Sequence, residues 1–111
     1  RNERFFVEEM IREQILLNYS KEIPYAVEVR VEEFKEEENI IRIRAEIYTE
    51  RNSQKGIIVG AGGKMIKKVG TNARKKMERF FAKKIFLDLH VKVRKDWRSS
   101  EQELKRFGYK N

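Results

Sequence analysis

Residues 56–68 read Gly-Ile-Ile-Val-Gly-Ala-Gly-Gly-Lys-Met-Ile-Lys-Lys. Three apolar residues run into a glycine cluster, and a basic amphipathic segment runs out of it. Glycines at 60, 62 and 63 allow a sharp turn through positive φ and leave no side chain to keep another backbone away. The segment after them has helical spacing, so unpaired N–H groups and the positive end of the helix dipole sit at the turn. Such a corner is suited to holding an anion, most naturally a phosphate.

The flanking pattern sets the architecture. Phe6, Val7, Met10, Ile11 and Leu16 recur at helical spacing, which predicts a helix over 3–20. Pro24 biases Ile23 away from helical geometry and predicts a break there. Tyr25, Val27, Val29 and Val31 then alternate with Ala26, Glu28, Arg30 and Glu32 as a first strand. After a charged connection over 35–39, Ile41, Ile43, Ala45 and Ile47 alternate with Arg42, Arg44, Glu46 and Tyr48 as a second, predicting an antiparallel hairpin. Asn52 or Ser53 is expected to cap a short helix reaching about Val59. Gly56 inside it is unfavourable by roughly 1 kcal/mol against Ala, which points to close approach by core or ligand. A long helix over about 64–82 carries the stripe Met65, Ile66, Val69, Ala73, Met77, Phe80 and Phe81. Gly70 within it predicts either a kink or tight packing on the sheet. Ile85, Leu87, Leu89, Val91 and Val93 alternate with Phe86, Asp88, His90, Lys92 and Arg94 as a third strand. In the tail, Ser100 and Glu103 fit a capping box and Gly108 a helix stop, with Leu104 and Phe107 to dock it. Three strands with helices on one face make an α+β sandwich.

Charge narrows the function. The net charge is +8. Residues 1–50 hold 8 Lys/Arg and 13 Asp/Glu, whereas residues 51–111 hold 18 and 5. One acidic and one strongly basic half point to a basic face with a polyanionic partner. The glycine turn lies in the basic half. With no cysteine there is no disulfide framework and no Cys-based zinc site. No apolar run approaches the roughly 18 residues of a membrane span.

Two nucleotide-binding readings fail on spacing. Ile57-Ile58-Val59-Gly60-Ala61-Gly62 starts like G-x-G-x-x-G, but the third glycine would fall on Met65. The acidic residue expected about 20 positions on meets Phe80-Phe81-Ala82-Lys83-Lys84 instead. No G-x-x-x-x-G-K-[ST] is present, so a P-loop is excluded. The remaining reading takes Gly60-Ala61-Gly62-Gly63 as G-x-x-G between two helices, the loop that clamps about four nucleotides in KH domains. Residues 55–84 carry ten Lys/Arg and a single acid, Glu78.

With one helix and one strand ahead of that core, the chain resembles a type II KH domain, and its wording is similar to the C-terminal domain of the Era GTPase family. The residues concerned are 23–27, Ile-Pro-Tyr-Ala-Val; 50–60, Glu-Arg-Asn-Ser-Gln-Lys-Gly-Ile-Ile-Val-Gly; 91–98, Val-Lys-Val-Arg-Lys-Asp-Trp-Arg; and 104–109. The resemblance implies an α+β fold of order α-β-β-α-GxxG-α-β, with a three-stranded mixed sheet, helices on one face and a short C-terminal helix appended. It makes residues 1–111 one RNA-binding domain, with 1–22 leading in from an upstream domain and 96–111 a tail. It implies binding to the single-stranded 3′ end of 16S ribosomal RNA during small-subunit assembly. It also implies an upstream GTPase domain that this chain lacks, so the chain is expected to be an excised domain or fragment with no catalysis of its own. The implied setting is cytoplasmic, peripheral to the inner membrane in the family.

On that footing, Gly60, Ala61, Gly62 and Gly63 would lay backbone N–H groups against phosphates, and Lys55, Lys64, Lys67 and Lys68 would neutralise them. Gly56, Ile57 and Ile58 would form an apolar floor for bases. Lys84 and the start of the third strand would form the opposite wall, with base edges meeting main-chain groups at Ile85, Phe86 and Leu87. The resembled loop commonly carries Lys at the position of Ala61. Alanine keeps the backbone usable but removes a phosphate contact, for which Lys64 or Lys67 could compensate. His90 reads as a surface residue, and Glu36-Glu37-Glu38 as a solvated charge run. Trp97 reads as tail packing, and Phe86 as either packing or stacking. No cofactor, metal site or nucleophile–base pair is expected. The competing reading is a protein-interaction domain using the acidic/basic asymmetry.

Overall fold

The computed structural model describes residues 2–20 and 22–95. The expectations for Trp97 and the tail helix lie outside them. Helix α1 (Glu3–Asn18) is followed by a single turn α2 (Glu22–Tyr25), strands β1 (Val27–Glu36) and β2 (Ile40–Thr49), and helix α3 (Asn52–Val59). A 3₁₀ turn (Ala61–Gly63), helix α4 (Lys64–Phe81) and strand β3 (Lys84–Val93) complete the order. The sheet runs β1-β2-β3, with β1 antiparallel and β3 parallel to β2. A parallel neighbour needs a crossover, and α3, the glycine turn and α4 supply it.

The core follows the alternation. Val27, Val29 and Val31 of β1, Ile41, Ile43, Ala45 and Ile47 of β2, and Ile85 of β3 pack against Val7, Met10, Ile11 and Ile15 of α1. Ile58, Ala73 and Met77 close the layer from α3 and α4.

Several local expectations are corrected. The buried stripe of α1 passes through Gln14 and Ile15, and Leu16 is exposed. Pro24 lies inside α2; its missing N–H falls among the first four, which no helix satisfies internally, so it interrupts nothing. Tyr25 consequently sits in α2, exposed, and β1 begins at Val27. The strands continue through Lys35 and Glu36, and the hairpin closes where the Glu37 N–H donates to the Ile40 carbonyl at 2.9 Å. The acidic run Glu36-Glu37-Glu38 is exposed as expected, and Lys83 Nζ reaches Glu36 Oε2 at 2.9 Å and the Glu37 carbonyl at 3.0 Å. The N-cap of α3 is Arg51, and Gln54 Oε1 accepts from the N–H groups of Arg51 and Glu50 at 2.9 and 3.0 Å.

The face of the sheet away from the helices is also more structured than simple alternation predicts. Glu46 and Tyr48 are buried there. Glu46 accepts from the Tyr48 hydroxyl and pairs with Lys92 at 2.9 Å and Arg44 at 3.1 Å. Arg94 stacks over the Tyr48 ring at 5.0 Å. Burial alone would raise the Glu46 carboxyl, but Tyr48, Lys92 and Arg44 outweigh it and hold its pKa at about 2.

Candidate nucleic-acid interface

The glycine turn adopts the geometry its residues permit. Gly60, Gly62 and Gly63 have φ of 78°, 62° and 77°. Gly60 is sterically obligatory: a Cβ there would lie 2.6 Å from Met65 Cγ and 2.8 Å from Met65 Cβ. A Cβ on Gly62 or Gly63 would meet nothing within 4 Å, and Ala61 and Gly62 are exposed. The amides divide into two sets. The Gly60 N–H donates to the Gly56 carbonyl at 2.9 Å, the Gly63 N–H to the Gly60 carbonyl at 3.0 Å, and the Lys64 N–H to the Ala61 carbonyl. Among the described residues, the N–H groups of Ala61 and Gly62 have no acceptor. The expectation that all four loop amides face a ligand is therefore corrected: the bonds that fold the turn use the outer two, and the middle two stay open.

The short helix leading into the turn is anchored from α1. The Tyr19 hydroxyl donates to the Ile58 carbonyl at 2.6 Å, and burial pushes its pKa up to about 12. Ile58 itself is fully buried, so it supports the floor from beneath and cannot present its side chain. Gly56 and Ile57 remain on the surface; a Cβ on Gly56 would meet nothing within 4 Å, so the close approach that this glycine permits is from outside.

Along the first turns of α4, a cleft of about 340 Å³ runs between α4 and β3. Ile66, Lys67, Gly70, Thr71 and Arg74 line one wall, and Leu87, Asp88 and Leu89 the other. Gly70 neither kinks α4 nor is squeezed: a Cβ would meet Leu89 at an ordinary 3.8 Å, and its absence keeps the cleft open. Glu78, the lone acid of the segment, is pinned at one end, where it accepts from Arg74 at 3.1 Å and from the Ile85 N–H at 3.2 Å. That bond, with the burial of the Ile85 side chain, withdraws Ile85 from the wall expected of it. Phe86 is half-exposed but pairs in register with Arg42, whose guanidinium lies 5.8 Å from its ring centroid. By alternation its side chain lies on the sheet face opposite Ile85 and Leu87, away from the cleft. Leu87 does line the cleft.

Lys55, Lys64, Lys67, Lys68 and Lys84 are all exposed, and none has a carboxylate partner among the described residues. The surface around the turn is thus cationic and uncompensated. Gly70, Thr71 and Arg74 also line the cleft, although they are not among the residues expected from the sequence. They share the i, i+3, i+4, i+7 stripe that begins at Lys67, so the signal was available. His90 is a surface residue paired with Asp88 at 2.9 Å. Among the described residues, no group of three or more potential ligands could hold a metal ion. Nor is any described helix long and apolar enough to cross a membrane.

A family profile described as KH domain matches residues 22–98. GTPase Era of Syntrophus aciditrophicus is 56% identical over 110 residues, covering 97% of this chain and 36% of that protein. GTPase Era of Xylella fastidiosa is 48% identical over 109 residues, covering 98% of this chain and 37% of that protein. The chain thus spans little more than a third of the length of these curated relatives. A crystal structure of a point variant of Aquifex aeolicus Era, bound to GDP and aluminium fluoride, superposes with a TM-score of 0.90 at 31% identity, over 100% of this chain and 38% of that one. Era in complex with MgGDPNP and nucleotides 1506–1542 of 16S ribosomal RNA gives 0.91 at 31% identity, again over 100% and 38%. Sheet order, the GxxG corner and these likenesses agree: the chain belongs to the KH domain family, in the form carried by GTPase Era.

Proposed function

We propose that this chain is a single RNA-binding domain that grips single-stranded RNA along the α4–β3 cleft. The carrying observation is the exposed turn whose Ala61 and Gly62 N–H groups are unpaired at the start of α4, the helix that walls that cleft, flanked by lysines without carboxylate partners. Two open amides at a helix start favour a phosphate. Lys55, Lys64, Lys67, Lys68 and Lys84 supply charge along the strand, and Gly56 and Ile57 offer a flat surface for a base. Base edges then meet the β3 wall at Leu87 through Leu89. Recognition is by shape and backbone, with no bond made or broken.

The finer identity follows the relatives. An Era of the same fold is solved with 16S ribosomal RNA nucleotides. The RNA is accordingly proposed to be the 3′ end of 16S ribosomal RNA, bound during small-subunit assembly in the cytoplasm or at the inner-membrane periphery. The proposed wider protein is an Era-type GTPase, with GTP hydrolysis housed outside this chain.

The test is a titration of labelled single-stranded RNA, the same sequence as DNA, and duplex RNA, each at two salt concentrations. Single-stranded RNA should bind best, and affinity should fall with salt as counterions are released. Gly62→Asp places a carboxylate where a phosphate would lie. It should lower affinity at least about 100-fold, roughly 2.7 kcal/mol, while the circular dichroism spectrum stays unchanged, since the position is open and Asp tolerates positive φ. Equal binding of duplex, or normal binding by that variant, would reduce the loop to a structural corner.

A further inference from the structure

We propose that the seam between α1 and α4, on the opposite flank of α4 from the RNA cleft, is a docking groove for an acidic amphipathic helix of a protein partner. The two helices run antiparallel: Phe6 stacks on Phe80 with centroids 5.2 Å apart, and Leu17 shares a cavity with Asn72. Two adjoining cavities of about 330 Å³ each lie along the seam. Glu13 and Lys76 border both, and their ion pair crosses between them.

The groove is apolar at its ends and cationic between. At one end Leu17 is 71% exposed, with Leu16 beside it at 56%; at the other Phe80 is 53% exposed. Helix α1 therefore stops short of burying its own terminal leucines. Both acids of the groove are engaged, Glu13 with Lys76 and Glu9 with Arg12 at 3.2 Å. Lys75 and Arg79, which line it, are exposed and have no carboxylate partner among the described residues. The uncompensated charge is thus positive.

Leu17 and Phe6 are eleven residues apart, about 16 Å along a helix axis. Exposed Leu17, and exposed Phe80 stacked on half-buried Phe6, give apolar anchors at about that spacing; rimmed by free cations, they match a helix laid in a groove. Acidic residues between two apolar anchors would complement it. Leu16 and Leu17 offer a phosphate nothing and a base no π-face, and the Phe80 ring is already packed against Phe6 and Phe81, which favours a protein over a nucleic acid. Asn72, Lys75, Lys76 and Arg79 face this seam, whereas Lys67, Gly70, Thr71 and Arg74 face the RNA cleft. Both grooves can therefore be filled at once.

The probe is a fluorescein-labelled synthetic helix with two leucines eleven positions apart and glutamates four and seven positions after the first, titrated into the 111-residue chain. Binding should raise anisotropy and move amide chemical shifts only in residues 6–17 and 72–80. Leu17→Asp combined with Lys75→Glu should weaken it at least about tenfold without changing the affinity for single-stranded RNA. Gly62→Asp should do the reverse, so that failure of the RNA reading and failure of this one are separable. Because Leu17 and Lys75 are exposed, the double variant should fold; Lys75→Glu alone repeats the test with charge only. No binding at about 1 mM peptide, equal binding by the variants, RNA-induced shifts along the seam, or self-association through it would each overturn the proposal.

Discussion

The two edges of the sheet are finished differently. At the β1 edge, α1 lies over the strand and buries Val27, Val29 and Val31. Where β1 bulges between Val31 and Glu33, α1 also takes up the loosened backbone: Glu8 accepts from the Val31 N–H at 3.0 Å, and Arg4 donates to the Val31 carbonyl at 2.9 Å. At the β3 edge, α4 covers only the beginning. Ile85 is buried, while Leu87, Leu89 and Val91 are half-covered, and Leu87 and Leu89 line the cleft wall. One edge is sealed by side chains, as exposed edges need to be. The other is left as a slot beside a cationic helix.

That contrast can be broken by substitution. Ile11→Ala, on the sealed side, should cost about 2–5 kcal/mol, read as a lower denaturation midpoint, with RNA affinity of the folded fraction unchanged. If it weakens RNA binding of folded protein as well, the two edges are not independent. The Glu46 cluster spans the outer face and ties β2 to β3. Its carboxyl titrates lower in the folded chain, at about 2, than its usual 4.5, so its contribution is full above about pH 5 and is lost as pH falls towards 2. The loss is on the order of 3 kcal/mol, and Glu46→Gln should flatten the acid limb of a stability-versus-pH profile. Leu89→Ala should cost under about 1.5 kcal/mol yet lower RNA affinity several-fold. Gly70→Ala sharpens the comparison most. A helical alanine should add up to about 1 kcal/mol of stability while its methyl intrudes on the cleft and weakens RNA binding. A variant stabler and equally competent would mean that the strand runs elsewhere.

Much of this was legible in residue order. Alternation located all three strands, because period two on a half-buried surface is a strong constraint. The glycine cluster located the turn, because three positive-φ residues leave few alternatives. What stayed hidden depended on long-range partners. Nothing local reveals that Glu46 and Tyr48 are buried on the outer face, since their burial needs Lys92 and Arg94 brought from β3 and its end. Ile58 reads as a surface residue beside Ile57 until Tyr19, 39 positions away, fixes the end of α3. The withdrawal of Ile85 from the wall likewise depends on Glu78, which local sequence marks only as an isolated acid.

The internal bonds of the glycine turn have a thermodynamic consequence. With the Gly60 and Gly63 amides tied within the corner and Met65 packed where a larger residue would stand, the receptor is shaped before any strand arrives. The entropy lost on association then falls almost wholly on the nucleic acid, so affinity should track how stiff that strand already is, and pre-stacked sequences should outbind floppy ones of equal length.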